Sequence, residues 1–357
     1  MGCTFSKESS DEDKGAVETA FEETGVKPTA GPPSELYPFV LLNDGKLKEI
    51  GSGGYSNVYE ATNLRTRQTV AVKMIPKSDL RPHDHDSLKS EVEILHECKG
   101  QANILAFVDY FDEKDHYYLI TEQITGGELF ERICKKDVYG ELDARNLVKA
   151  LLGTLAFLHG KSIAHRDIKP ENLLLRSADS DTQVVLAHFG FATKCDGKSL
   201  KQICGTPDYV APEILMHALY DFKCDIWSAG VIAYILLGGY APFQARNPED
   251  REELFNAIKR GKLVFHERYW KDVSSEAKDC ISQMLNVNPD ARPMATDLLR
   301  HEWMVGGAAE RKHGGGDLSA SKARLKEFNA RRKLKGAINA VKATNKMKSV
   351  LSAMKVP

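Results

Sequence analysis

Asp167, Lys169 and Asn172 place a carboxylate, an ammonium and a carboxamide within six residues, in the run His165-Arg166-Asp167-Ile168-Lys169-Pro170-Glu171-Asn172. Sixteen residues beyond Asn172 stands His188-Phe189-Gly190. Upstream, Gly51-Ser52-Gly53-Gly54-Tyr55-Ser56-Asn57-Val58 follows the apolar Ile50 and precedes a β-rich run. Glycines let a hairpin's backbone approach phosphates closely, because no Cβ blocks the contact. Alone, the run is more simply a structural turn. Val70-Ala71-Val72-Lys73 follows about twenty residues on, and Glu91 comes next in Ser90-Glu91-Val92-Glu93-Ile94-Leu95. Singly these are a surface lysine and a solvated glutamate; as an ordered set with the glycines they point to a phosphate-bearing ligand.

The elements that must position these residues are legible in composition and periodicity. The 357 residues are 42% hydrophobic and 28% charged, enough for at least one sizeable core. Residues 1–37 are polar, acidic and broken by Pro28, Gly31, Pro32 and Pro33, and are expected to be disordered. From 38 to about 124, β-branched runs such as Thr69-Val70-Ala71-Val72 alternate with turns around one helical stretch near Leu88–Leu95. From about 125 to 304, helical periodicity dominates, as in Asn146 to His159 and Trp227 to Leu237. Residues 305–318 read as a glycine-rich flexible linker, and a second helical pattern fills 319–357. No stretch approaches the roughly 18 apolar residues of a spanning helix, and no secretory signal is evident. The seven cysteines lack Cys-x-x-Cys pairing, as suits reduced thiols in a cytosolic compartment. The net charge of −1 hides a polarity: residues 1–36 hold eight acidic and three basic side chains, whereas 305–357 hold three acidic and thirteen basic.

From about Pro38 to Met304 the chain resembles a serine/threonine protein kinase, specifically of the calcium/calmodulin-dependent group. The resemblance rests on the ordered motifs above, with Ala211-Pro212-Glu213, Asp225-Ile226-Trp227-Ser228 and Arg292. It implies an α+β, two-lobed protein kinase fold: a small β-rich N-lobe with one main helix, and a larger, mostly helical C-lobe. It also implies binding of ATP with Mg²⁺, and phosphoryl transfer to protein substrates with basic Ser/Thr sites. Ile50, Gly51, Ser52, Gly53, Gly54, Tyr55, Ser56 and Val58 would cover the nucleotide, with Ser56 where the pattern's third glycine falls. Lys73 would hold the α and β phosphates and Glu91 would hold Lys73. Ala71 would contact the nucleotide, the gatekeeper Thr121, the hinge Glu122 to Ile124, and Leu174 would surround adenine, and Glu128 would meet the ribose and a basic substrate residue. Asp167 would orient and deprotonate the acceptor hydroxyl, Lys169 would stabilise the transferring phosphoryl, and Asn172 would take one metal. Lys169 with Gly205-Thr206-Pro207 resembles Ser/Thr rather than Tyr specificity.

His188 stands where the family carries the aspartate of Asp-Phe-Gly, the principal metal ligand. Magnesium favours oxygen ligands in near-octahedral geometry, whereas neutral imidazole suits zinc, copper or nickel, and imidazolium would repel any cation. Three readings stay open: a pseudokinase that binds nucleotide with little turnover, weak or Mn²⁺-supported activity through Asn172 and the phosphates, or compensation by another carboxylate or a variant of an otherwise active enzyme. Lys73, Glu91, Asp167, Lys169 and Asn172 all being present argues against general decay of the site.

The tail from Leu325 to Ile338 resembles the regulatory segment of the multifunctional calmodulin-dependent kinases. Calmodulin accepts a basic helix whose apolar anchors enter Met-lined pockets. Leu334, Ile338, Val341 and Met347 would be the anchors, among Arg331, Arg332, Lys333, Lys335 and Lys342. A basic helix lying on anionic lipid is the alternative. In the family's manner the segment would block substrate until calmodulin removed it. Ser321 falls at the family's autophosphorylated threonine, with Leu318 replacing the expected arginine; Gln202 occupies the usual activation-segment phosphosite.

Met1-Gly2-Cys3-Thr4-Phe5-Ser6 fits N-myristoylation at Gly2, and Cys3 adds a palmitoylation site. Two acyl chains hold a protein stably where one does not. The expectation is a cytoplasmic protein peripheral to a membrane, monomeric, with calmodulin as partner and no nucleic acid.

Overall fold

The computed structural model describes residues 26–42, 44–52, 56–136, 139–179, 183–306 and 318–353, with the side chains of 319, 320 and 339–353 outside that description. The chain divides into two compact units. The first takes the described residues up to Gly100 together with Ala106–Gln123; the second takes Gln101–Leu105 and the described residues from Ile124 onward.

The first unit is a five-stranded antiparallel sheet of β1 (Glu49–Ser52), β2 (Asn57–Thr62), β3 (Thr69–Pro76), β4 (Phe107–Asp112) and β5 (His116–Glu122), ordered β1-β2-β3-β5-β4. Along β3, Val70 and Val72 are buried while Ala71 and Lys73 point the other way, the period of two that a half-buried strand imposes. Val70 and Val72 pack with Ala61, Phe111, Ile120 and Tyr37. Helix α1 (Pro82–Glu97) turns Leu88, Val92 and Leu95 inward, with Glu91 on the same buried face. The described part of the segment expected to be disordered is in fact docked. Val26 and Tyr37 are buried, Thr29 N–H donates to the Tyr110 carbonyl at 2.8 Å, and Asp109 accepts from both the Thr29 and Tyr37 hydroxyls. The polar composition concealed this because the acceptor that organises the segment lies about eighty positions away.

The second unit is mostly helical. Its longer helices are α2 (Leu129–Lys135), α3 (Glu141–Gly160), α4 (Lys223–Gly238), α5 (Arg251–Arg260), α6 (Ser275–Met284) and α7 (Ser319–Ala353). Helix α4 is apolar all round and buried all round, the central post of the unit. Small strand pairs join β6 (Ile163–Ala164) to β9 (Thr193–Lys194), and β7 (Leu173–Leu175) to β8 (Val184–Leu186). Gln101–Leu105 also belongs here, although it lies within the expected first segment of 38 to about 124, because Ile104 bridges Leu186 and Leu105 N–H donates to the Leu186 carbonyl at 3.0 Å. A buried bidentate pair of Arg292 and Glu213, at 2.7 and 3.0 Å, ties the segment after Ala211 to the loop before residue 295. Most of the expected linker, 307–317, lies outside the described residues.

Candidate active site

In the first unit, Lys73 Nζ meets Glu91 Oε2 at 2.8 Å, which joins β3 to α1. Ala71 pairs with Thr121 across β3 and β5, and Gly51 pairs with Val58 across β1 and β2. Ile50, Gly51 and Ser52 lie on the exposed β1, and Ser56 precedes β2; Gly53, Gly54 and Tyr55 lie outside the described residues. Thr121 is buried, and Glu122 Oε1 accepts from the Ala106 N–H at 2.9 Å.

In the second unit, Ile124 leads into Gly126-Gly127, which deliver Glu128 against Leu174 in an isolated antiparallel bridge. Only glycine fits at 126: a Cβ there would lie 2.4 Å from the carbonyl oxygens of both Leu175 and Ser177. The catalytic-loop residues converge. Asn172 Nδ2 donates to the Asp167 carbonyl at 2.7 Å and to its Oδ2 at 3.1 Å, and Lys169 Nζ meets the same Oδ2 at 2.6 Å. Thr206 Oγ1 donates to Asp167 Oδ1 at 2.8 Å and accepts from Lys169 Nζ at 3.0 Å. Three donors from two chain segments thus orient one carboxylate, as a general base requires. Thr206 in this role was not foreseen. Its signal was present in Gly205-Thr206-Pro207, since Gly205 has φ +98° and a Cβ there would lie 2.7 Å from the Arg166 carbonyl.

The loop is fixed from below by Asp225 at the start of α4. Its carboxylate accepts from the His165 and Arg166 N–H groups, both at 2.8 Å, and lies 3.2 Å from His159 Nε2. Burial alone would raise the Asp225 pKa, but the hydrogen bond and charge of His159 and the His165 contacts outweigh it and hold the carboxylate below its usual range. His165 Nδ1 accepts from the Asp167 N–H at 3.3 Å, so its proton sits on Nε2, which donates to the Ala187 carbonyl at 3.2 Å. Burial lowers the His165 pKa against the pull of Asp225 and Asp167.

That imidazole therefore grips the residue before His188. On the other side Phe189 is fully buried, edge-on to the His165 ring at 4.9 Å. His188 is exposed, with φ +62°. Histidine, like Asp and Asn, tolerates the left-handed region, so the exchange at 188 leaves the backbone path open. Asn172 commits Nδ2 to Asp167 and keeps Oδ1 as an oxygen donor; the imidazole offers nitrogen where a hard cation wants oxygen. Asn172 fits a magnesium site and His188 does not. Among the described residues no cluster of three or more His, Cys, Asp or Glu side chains could hold a metal.

The tail helix lies on the second unit. Leu318, Ser321, Leu325 and Asn329 are buried along one face, and Arg324 stacks on Tyr240 at 4.7 Å and Tyr269 at 4.3 Å. Further along, Arg332 pairs with Glu128 and, at 2.7 Å, with Glu171; Lys333 pairs with Glu131, and Lys335 with Asp208 at 3.2 Å. The roles of Glu131, Glu171 and Asp208 were not foreseen, because acidic side chains in separate motifs show no common target until the fold assembles them. Arg331 is exposed, and so are Leu334 (62%) and Ile338 (43%). Val341 and Met347 lie in α7 with side chains outside the description, and Gly2 and Cys3 precede the described residues.

A protein kinase domain model matches residues 45–304. The chain is 44% identical over 259 residues to myosin light chain kinase A of Dictyostelium discoideum, spanning 72% of this chain and 86% of that protein. It is 38% identical over 299 residues to calcium/calmodulin-dependent protein kinase type 1 of Caenorhabditis elegans, 84% of each. It is also 38% identical over 305 residues to calcium/calmodulin-dependent protein kinase cmkA of Emericella nidulans, 85% of this chain and 70% of that protein. With the loop geometry above, these matches establish that the chain belongs to the protein kinase family, among the calcium/calmodulin-dependent and myosin light chain kinases.

Proposed function

We propose that this protein is a calmodulin-regulated kinase that transfers the γ-phosphate of ATP to Ser or Thr of basic protein substrates. The observation that carries the reading is the Asp167 carboxylate, oriented by Lys169, Asn172 and Thr206 at 2.6–3.1 Å. Asp167 accepts the proton of the substrate hydroxyl, and Lys169 offsets charge on the transferring phosphoryl. Lys73, held by Glu91, binds the α and β phosphates, with Ile50, Val58, Ala71, Thr121, Glu122, Ile124 and Leu174 as further nucleotide-binding residues. Phosphoryl transfer depends on positioning and charge neutralisation more than on covalent chemistry, and this set supplies both.

The divalent ion that accompanies ATP is Mg²⁺ or, in view of the nitrogen at His188, Mn²⁺. When bound, it neutralises phosphate charge; Asn172 Oδ1 is the one well-suited protein ligand of the pair. The misfit at His188 favours a second reading, a nucleotide-binding pseudokinase that acts as a calmodulin-binding scaffold.

The tail supports regulation. Its cations occupy acidic side chains that would otherwise meet a basic substrate, while Leu334 and Ile338 stand exposed as anchors for an incoming partner. Calmodulin binding these residues would remove the block. Acylation at Gly2 and Cys3 would attach the protein to the cytoplasmic face of a membrane; among the described residues no helix is long and apolar enough to cross one.

The test is phosphate transfer to a basic Ser/Thr peptide, with and without Ca²⁺-calmodulin, beside Asp167→Asn. Calmodulin-stimulated transfer that Asp167→Asn abolishes supports the enzyme reading. Calmodulin binding with no transfer under either metal supports the scaffold.

A further inference from the structure

Among the described residues, Arg166 carries a positive charge that no carboxylate answers. Its Nε donates to the Phe191 carbonyl at 2.6 Å and its Nη1 to the Tyr220 hydroxyl at 3.3 Å; among the described residues no anion pairs with it. The Tyr220 hydroxyl in turn donates to the Gln202 carbonyl at 2.5 Å. Backbone bonds of 3.0 and 3.1 Å also join Leu200 and Tyr220. One phenol thus bridges the arginine next to Asp167 to the segment that carries Thr206. Kinase activation segments are ordered when a phosphate pairs with arginine, and position 202, at the family phosphosite, holds an amide that cannot be phosphorylated.

We propose that Tyr220 is a positioning residue that takes the place of an activation-segment phosphate. Its hydroxyl accepts from Arg166 and donates to Gln202, and so fixes residues 200–206 with no modification. The consequence reaches the reacting carboxylate through Gly205 and Thr206, since Gly205 lies directly on the Arg166 carbonyl and Thr206 holds Asp167. The Gln202 carbonyl is one hydroxyl away from the guanidinium; if the phenol stands in for a phosphate, a carboxylate introduced at 202 must be able to answer Arg166 once that hydroxyl is removed. The catalytic part of this inference rests on the kinase reading above; the structural part does not.

The experiment compares the full chain with Tyr220→Phe, Gln202→Glu and the double variant. Phenylalanine keeps the buried ring and the backbone pair with Leu200, so only the hydroxyl is lost. Amide hydrogen exchange over residues 199–206 should rise about tenfold in Tyr220→Phe, the worth of one hydrogen bond to a charged group. It should return to the original level in the double variant and stay within about twofold in Gln202→Glu alone. The turnover number should follow the same pattern with the ATP KM unchanged. Unaltered exchange in Tyr220→Phe overturns the proposal. So does a rise that Gln202→Glu fails to reverse, because the hydroxyl would then not be standing in for an anion. If no form transfers phosphate, the kinase reading fails while the exchange data still decide the role of Tyr220.

Discussion

The Thr206 hydroxyl donates to Asp167 at 2.8 Å and accepts from Lys169 at 3.0 Å, so one side chain of the activation segment completes the catalytic loop. Thr206→Val keeps the shape and removes both bonds. The expected result is a loss in turnover of about tenfold, the kinetic equivalent of one orienting hydrogen bond, with Thr206→Ser near wild type. Asp167→Asn should cost about 10²- to 10⁴-fold as a general base is lost. Steady-state rates on a basic peptide check both.

Arg332 is the tail residue with the most to lose on release, since it pairs with Glu128 and Glu171 while largely buried. Arg332→Glu sets three carboxylates together and should free this part of α7. Calmodulin-independent activity should rise by roughly 10- to 100-fold, as expected for loss of a charge-assisted pair of about 1.5–3 kcal/mol. An unchanged ratio of basal to stimulated rate would contradict the inhibitory role.

Gly239 lies under the start of the tail. It has φ +77°, and a Cβ there would fall 2.2 Å from the Ser321 carbonyl. Gly239→Ala should weaken the docking of residues 318–325 and cost about 1–2 kcal/mol from the left-handed backbone alone. Limited proteolysis should cut the tail faster in the variant, with residues 183–300 still resistant. An unchanged cleavage rate would show that the tail is not anchored there.

Much of this was legible beforehand. The order Gly51, Lys73, Glu91, Asp167, Asn172 set the fold, and period-two and helical patterns placed β3, α1, α3 and α4, because those elements bury one face or all faces. The docking of residues 26–37 on Asp109 was hidden, as was the contact of Thr206 with Asp167. Both are long-range hydrogen bonds between polar side chains, which leave no periodic trace. The tail's basic character was plain, but its partners Glu131, Glu171 and Asp208 became a set only through tertiary structure.

The buried pair of His165 and Asp225 makes stability depend on pH. Burial holds His165 below its ordinary value of about 6.5, so the unfolded chain takes up that proton first as pH falls. Its contribution is complete above that value and is lost toward lower pH. Asp225 is also held below its usual range, chiefly by His159 acting against burial, so its contribution is lost only in more acidic solution. The urea midpoint should therefore fall between pH 7 and 5 and again below about pH 4. His165→Gln should flatten the first fall, and an unchanged slope would assign it to other groups.

His188 puts a ring nitrogen where the family pattern has a carboxylate oxygen. Aspartate tolerates the left-handed backbone at 188 as histidine does, so His188→Asp restores a carboxylate without strain. The most direct measurement is the initial rate of phosphate transfer from ATP to a basic Ser/Thr peptide, in Mg²⁺ and in Mn²⁺, for the native chain and His188→Asp. The account predicts a rate in Mg²⁺ at least about tenfold higher for His188→Asp, an electrostatic gain typical of a restored charged group at a transferring phosphoryl, with a smaller difference in Mn²⁺. Equal and full activity of both forms in Mg²⁺ would contradict it.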